Sequence, residues 1–132
     1  MNRRTLREQV FKLLFRIEFN SQEEMQQQCS YFFEDSDNQI LEEDMDYIQN
    51  KFNMIMDHLS EIDRLINEKA KGWSTQRMGK VDLTIIRLAV YEILYDEDVP
   101  TNVAINEAVE LAKKFGQDES YGFVNGILAK FA

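Results

Sequence analysis

One spacing constrains the middle of this chain more than anything else in it. Leu41, Met45, Ile48, Phe52, Ile55, Leu59, Ile62 and Ile66 follow one another at alternating steps of four and three. Only a helix brings such positions onto one side. The same steps return in Leu6, Val10, Leu13, Leu14 and Ile17, and again in Ile105, Ala108, Val109, Ala112 and Phe115. A single proline, Pro100, and five glycines leave few places to break. The expected fold is all-α: about seven helices in two small packed bundles. At 132 residues the chain reads as a single domain. Its expected subdomains are an N-terminal one of about residues 1–72 and a C-terminal one of about 73–132.

The long seam permits one coiled-coil helix or two helices broken near His58-Leu59. Ser60 as N-cap, with Asp63 three residues on, favours the break. Upstream, Thr5-Leu6-Arg7-Glu8 fits a capping box for a first helix running to about Phe19. Arg3, Arg7 and Lys12 are then expected off its apolar face. Ser21–Asp35 reads as a second helix with Cys29, Phe32 and Phe33 toward the core, and Glu34–Gln39 as an acidic loop. Val81–Tyr95 is apolar on most sides, the mark of a buried helix. Asn102 can cap the next helix, which Gly116 stops. Asp118 or Ser120 can cap a last helix whose Phe123, Val124, Ile127, Leu128 and Phe131 face inward.

Charge is uneven. The chain carries a net charge of −9. Residues 1–16 hold Arg3, Arg4, Arg7, Lys12 and Arg16 against Glu8 alone, whereas residues 17–68 hold fourteen acids against Lys51 and Arg64. An acidic protein is a poor nonspecific polyanion binder, but a local basic start can supply phosphate contacts. No apolar run approaches the length of a membrane span. A lone cysteine, Cys29, excludes an internal disulfide and fits a reducing cytoplasm.

Chemistry is hard to place. Glu107 and Glu110 share a helical face, but the one histidine, His58, stands apart from them. Solvated acids with a Glu110–Lys114 ion pair are the simpler reading. Cys29 and His58 are solitary, and there is no nucleophile elbow or phosphate loop. No metal, cofactor or catalysis is expected. Arg87 sits in the most apolar helix and calls for a salt bridge, with Glu92, Glu107 or Asn106 as candidate partners. What remains is a mixed set. Arg3, Arg4, Arg7 and Lys12 offer charge for phosphates. Phe15, Phe115 and Phe123, beside Ser120 and Tyr121, offer flat rings for bases. On the residues alone, core packing is the commoner use of such rings.

Three stretches carry a family resemblance: RRTLREQVFKLLFRIEF at the N-terminus, GWSTQRMGKVDLTIIRLAVYEI from Gly72, and VPTNVAINEAVELAKKFG with FVNGIL toward the end. In order and spacing they resemble the NusB family of bacterial transcription antitermination factors; residues 20–70 resemble it only in length and helical pattern. The resemblance implies an all-helical protein that pairs with the ribosomal protein NusE. The pair would bind the boxA element of nascent ribosomal RNA transcripts and join elongating RNA polymerase with other Nus factors. It places RNA contacts on Arg3, Arg4, Arg7, Lys12, Phe15, Phe115, Glu119, Ser120 and Phe123. It places the ribosomal-protein contact on the Val81 helix, with Asp82 at its start. Lys12 and Trp73 depart from the pattern: Lys12 stands where a polar amide is expected, and Trp73 where a basic residue can occur. Two alternatives stay open: the NusB-like RNA-binding domain of an rRNA methyltransferase, and a coiled-coil interaction protein built on Leu41–Ile66. A homodimer is compatible with any of them.

Overall fold

The computed structural model describes residues 1–35 and 40–132. The described part of the expected acidic loop is Glu34 and Asp35; the rest of it lies outside the described residues. Seven α-helices are present among the described residues: α1 (Arg3–Phe15), α2 (Met25–Glu34), α3 (Glu42–Asp57), α4 (Leu59–Lys69), α5 (Lys80–Tyr95), α6 (Thr101–Phe115) and α7 (Ser120–Ala129). A 3-10 turn, Arg16–Glu18, follows α1. No strand occurs among these residues, so the all-α expectation holds. Among the described residues, no helix is long and apolar enough to cross a membrane.

The chain divides into two compact units, Met1–Met56 and Asp57–Ala132. The division falls at the end of α3, well before the boundary expected near residue 72. The reason lies in α4. Its Ile62 and Ile66 are buried, and its Asp63 binds Arg87 of α5 through two 2.8 Å hydrogen bonds. A helix tied to α5 in this way belongs with the C-terminal elements. Arg87 therefore has the salt bridge it was expected to need, but with Asp63, which no short-range spacing could suggest.

In the first unit, α1 begins earlier than expected. Asn2, not Thr5, is the N-cap, and its side chain accepts from the Thr5 N–H at 2.8 Å. A reciprocal capping box does form, but at Ser21–Glu24. Ser21 N–H donates to Glu24 Oε1 at 2.9 Å and Glu24 N–H to Ser21 Oγ at 3.2 Å. Those bonds hold the Glu24 carboxyl below the usual carboxylate range. Val10, Leu13, Leu14, Phe32, Ile48 and Phe52 are core. Leu41, at the head of the expected seam, stays 61% exposed because α3 starts one residue after it. Cys29 is buried, and burial pushes its thiol up, against the hydrogen bond from Gln49.

In the second unit α5 is central: α4, α6 and α7 all contact it. Leu83, Ile85, Ile86, Leu88, Ala89, Val90 and Tyr91 of α5 are all buried. The break at His58 is real, though Ser60 does not make it: α4 begins at Leu59, and His58 precedes it without a side-chain cap bond. His58 instead stacks on Tyr95, ring centroids 3.9 Å apart. Asn102 likewise lies within the first turn of α6, one residue past its start at Thr101. Glu110 pairs with Lys113 at 3.7 Å.

Leu88→Asp should cost about 4 kcal/mol or more, because it places a carboxylate at a position only 1% exposed in the buried middle of α5. A denaturant melt followed by circular dichroism checks this. An unchanged midpoint would mean that α5 is not core.

Candidate nucleic-acid interface

Four residues, 116–119, carry the chain from the end of α6 to the start of α7. Gly116 stops α6, as expected, but not by the expected device. Its φ is −92°, so the left-handed geometry of a glycine stop is absent. Its need for glycine is steric. A Cβ on Gly116 would lie 2.5 Å from Ser120 Cβ and 2.6 Å from Ser120 Oγ. Ser120 is 4% exposed, and its Oγ accepts from the Gln117 N–H at 2.9 Å. The hydroxyl thus closes the corner that leads into α7.

That corner faces the start of α5. Gly79, Lys80, Val81 and Asp82 on one side, and Phe115, Gly116, Gln117, Glu119 and Ser120 on the other, line a pocket of about 430 Å³. The pocket brings Asp82 together with Phe115, Glu119 and Ser120, four candidate site residues from two stretches of the chain. Phe115 is half-buried, with Lys114 Nζ 5.4 Å from its ring centre. Glu119 is exposed. The residue assigned to a protein partner, Asp82, shares this pocket with three residues assigned to RNA.

Phe123 lies one helical turn beyond Ser120 and is half-buried, not fully inward as expected. Its ring meets Trp73 edge-on, centroids 5.1 Å apart. Trp73 is 46% exposed, and the Arg77 guanidinium lies 5.5 Å from its ring centre. The segment holding this pair is pinned. Asn67 Oδ1 accepts from Thr75 N–H at 2.8 Å, Arg77 donates to the Gly72 carbonyl at 3.3 Å, and Met78 is buried. Gly72 has φ +85°, a backbone form that a side chain would strain. Trp73 and Arg77 were not among the expected site residues. The signal was available: Lys69, Lys71, Arg77 and Lys80 occur within twelve residues that contain no acid.

The candidates in the first unit fall on α1. Arg3 and Arg4 are exposed in its first turn, within the helix and not before it. Lys12 is exposed and pairs with Glu8 at 3.6 Å. Arg7 departs from expectation: it is 7% exposed. Arg7, Val10, Phe11 and Leu14 follow at i, i+3, i+4 and i+7, so Arg7 shares the buried face. Phe15 is half-buried between Phe11 and Phe19, with centroids at 6.2 and 5.2 Å. Among the described residues, no group of three or more His, Cys, Asp or Glu side chains could hold a metal ion.

A model of the NusB family matches residues 4–132. Transcription antitermination protein NusB of Agathobacter rectalis is 54% identical, over 100% of both chains. The solved structure of T. maritima NusB superposes with a TM-score of 0.87 at 38% identity, covering 100% of this chain and 91% of that one. A structure of antitermination factors NusB and NusE in complex with dsRNA shares the fold, with a TM-score of 0.84 at 22% identity over 98% of this chain and 94% of that one.

Gly116→Ala should cost about 1–3 kcal/mol, the usual range for forcing atoms into a filled space. Ser120 and the Ala112 carbonyl crowd the added carbon from two sides. Equal stability of the variant in a urea melt would show that the corner has room to spare.

Proposed function

This chain belongs to the NusB family, and we propose that it binds boxA RNA of nascent rRNA transcripts together with the ribosomal protein NusE. The assembly joins elongating RNA polymerase in the cytoplasm and suppresses termination. The observation that carries this reading is the single pocket that gathers Phe115, Glu119, Ser120 and Asp82. A ring, a carboxylate and backbone polar groups at one corner suit an unpaired nucleotide. Rings stack on bases, and a carboxylate accepts from their exocyclic amines. Arg3, Arg4 and Lys12 add positive charge on α1. Arg7, being buried, supports that helix more than it reaches for phosphate. Catalysis by the chain has no part in this proposal.

The relation of Asp82 to RNA candidates in one pocket fits a site where the two partners meet. The coiled-coil alternative loses its seam. The heptad breaks at His58, and Ile48, Phe52, Ile55, Ile62 and Ile66 are buried within the fold. The relative matched along its whole length is an antitermination protein, which favours that reading over a methyltransferase domain.

A boxA single strand titrated with this chain, with and without NusE, tests the function directly. Saturable binding that NusE strengthens is the expected result, and no binding under either condition would overturn the proposal. Within that assay, changing Arg3 and Arg4 together to Ala should flatten the salt dependence by about two phosphate equivalents. An unchanged slope would leave these arginines as a solvated helix end.

Phe115→Ala and Phe123→Ala separate stacking from packing. A fully buried Phe costs about 3–5 kcal/mol on truncation. A stacking ring costs little stability but about 1–3 kcal/mol of RNA binding. Both rings are half-buried, so at least one variant should lose RNA affinity with a stability loss under about 1.5 kcal/mol. Early melting of both, with normal RNA binding by the folded remainder, would place the two rings in the core.

A further inference from the structure

We infer that Trp73 and Arg77 form a stacking platform for one further unpaired nucleotide, extending the RNA site past Phe123; this rests on the RNA reading proposed above. Two independent observations carry it. The first is geometry. Trp73 is the single tryptophan of the chain and is 46% exposed, where a large apolar ring gains nothing from water. It is nevertheless held still. Phe123 meets it edge-on at 5.1 Å, and Arg77, itself hydrogen-bonded to the Gly72 carbonyl, lies 5.5 Å from its ring centre. Asn67 and the backbone of Thr75 fix the segment that carries both residues. A ring fixed in place and partly open has already lost the side-chain freedom that stacking would otherwise cost.

The second observation is charge. The segment 69–80 carries Lys69, Lys71, Arg77 and Lys80 and no acid, within a chain whose net charge is −9. Lys71, Arg77 and Lys80 are exposed. An exposed indole beside a guanidinium, inside a local cationic stretch, matches a nucleotide on both counts. The ring takes the base, and the cations take the phosphate. The platform is also continuous with the pocket. Ser120 lines the pocket, Phe123 follows it by one turn on α7, and Trp73 packs on Phe123. Lys80 closes the path from the other end, where the segment enters α5.

Because Trp73 is the only indole, its fluorescence reports this site and no other. The chain is titrated with a single-stranded boxA RNA, followed by RNA anisotropy and by indole emission. The expected result is quenching that saturates along the same isotherm as the anisotropy. Inorganic polyphosphate should bind at low salt without quenching. Trp73→Ala should weaken RNA binding by about tenfold, the value of roughly one stacked base. Trp73→Phe, which keeps a ring, should stay within about threefold of the parent chain. Arg77→Gln should weaken binding and lower its salt dependence by about one phosphate equivalent.

Should Trp73→Ala fail to fold, the quenching of the unaltered chain and the Arg77→Gln titration still decide. RNA binding without quenching, together with parental affinity in Arg77→Gln, would overturn the platform. So would variants that bind RNA normally but lose affinity for the ribosomal protein, since this face would then belong to a protein. No anisotropy change with the unaltered chain, with or without NusE, would instead overturn the RNA reading itself.

Discussion

Everything in the second unit follows from one helix whose middle, residues 83–93, has no exposed position. Along α5 the buried positions run nearly without interruption from Leu83 to Glu92. Such a helix is stable only when other helices cover it, and α4, α6 and α7 do so. Covering it has two consequences. The one basic group within that buried run, Arg87, must be paired inside the packing, and Asp63 of α4 meets it with a two-bond clasp. The α6–α7 connection must also be short enough to keep both helices on α5. That is why Gly116 and Ser120 come so close that no Cβ fits between them. The corner that lines the candidate pocket is thus a by-product of wrapping α5.

Rigidity and recognition are divided between neighbouring residues. Ser120 is fixed by Gln117 and buried, while Glu119 beside it is exposed. Met78 anchors the segment 69–80 in the core, while Arg77 before it is exposed. Successive residues at a turn point in different directions, so one can hold the chain while the next faces solvent. On the proposed reading, substitutions at Ser120 or Gly116 would act on ligands by loosening the corner. On the same reading, substitutions at Glu119, Trp73 or Arg77 would act by removing contacts to the ligand. The two groups are separable by measuring folding and binding side by side.

The sequence made the helices and their number legible, because periodicity is repeated over many residues and survives local error. It was least informative where a single residue decides. Thr5–Glu8 has the pattern of a capping box, but Asn2 reaches the Thr5 N–H first and starts α1 three residues earlier. The arginines then enter the helix, and the face they occupy is set by i, i+3 and i+4 neighbours; Arg7 falls among Val10, Phe11 and Leu14. The need to pair Arg87 could be read from burial cost alone, whereas Asp63 could not, since it lies 24 residues away. Among the site residues, Phe115, Glu119 and Ser120 sat close together in the chain. Their meeting with Asp82 and Lys80 required the packing of α6 against α5.

If an acidic chain is to bind a polyanion, as proposed, it has to keep its repulsion away from the site. Screening makes this feasible, since at physiological salt charges separated by more than about 8 Å scarcely feel one another. What matters is the charge within that radius, not the net −9. Glu119 and Asp82 are the acids lining the pocket, and Lys80 lines it with them. A carboxylate there costs some phosphate attraction, so its presence makes sense only if it faces a base edge or a cationic partner. Charge at this corner therefore selects among ligands more than it strengthens binding. On the proposed reading, the cations of segment 69–80 would supply the attraction that the pocket itself lacks.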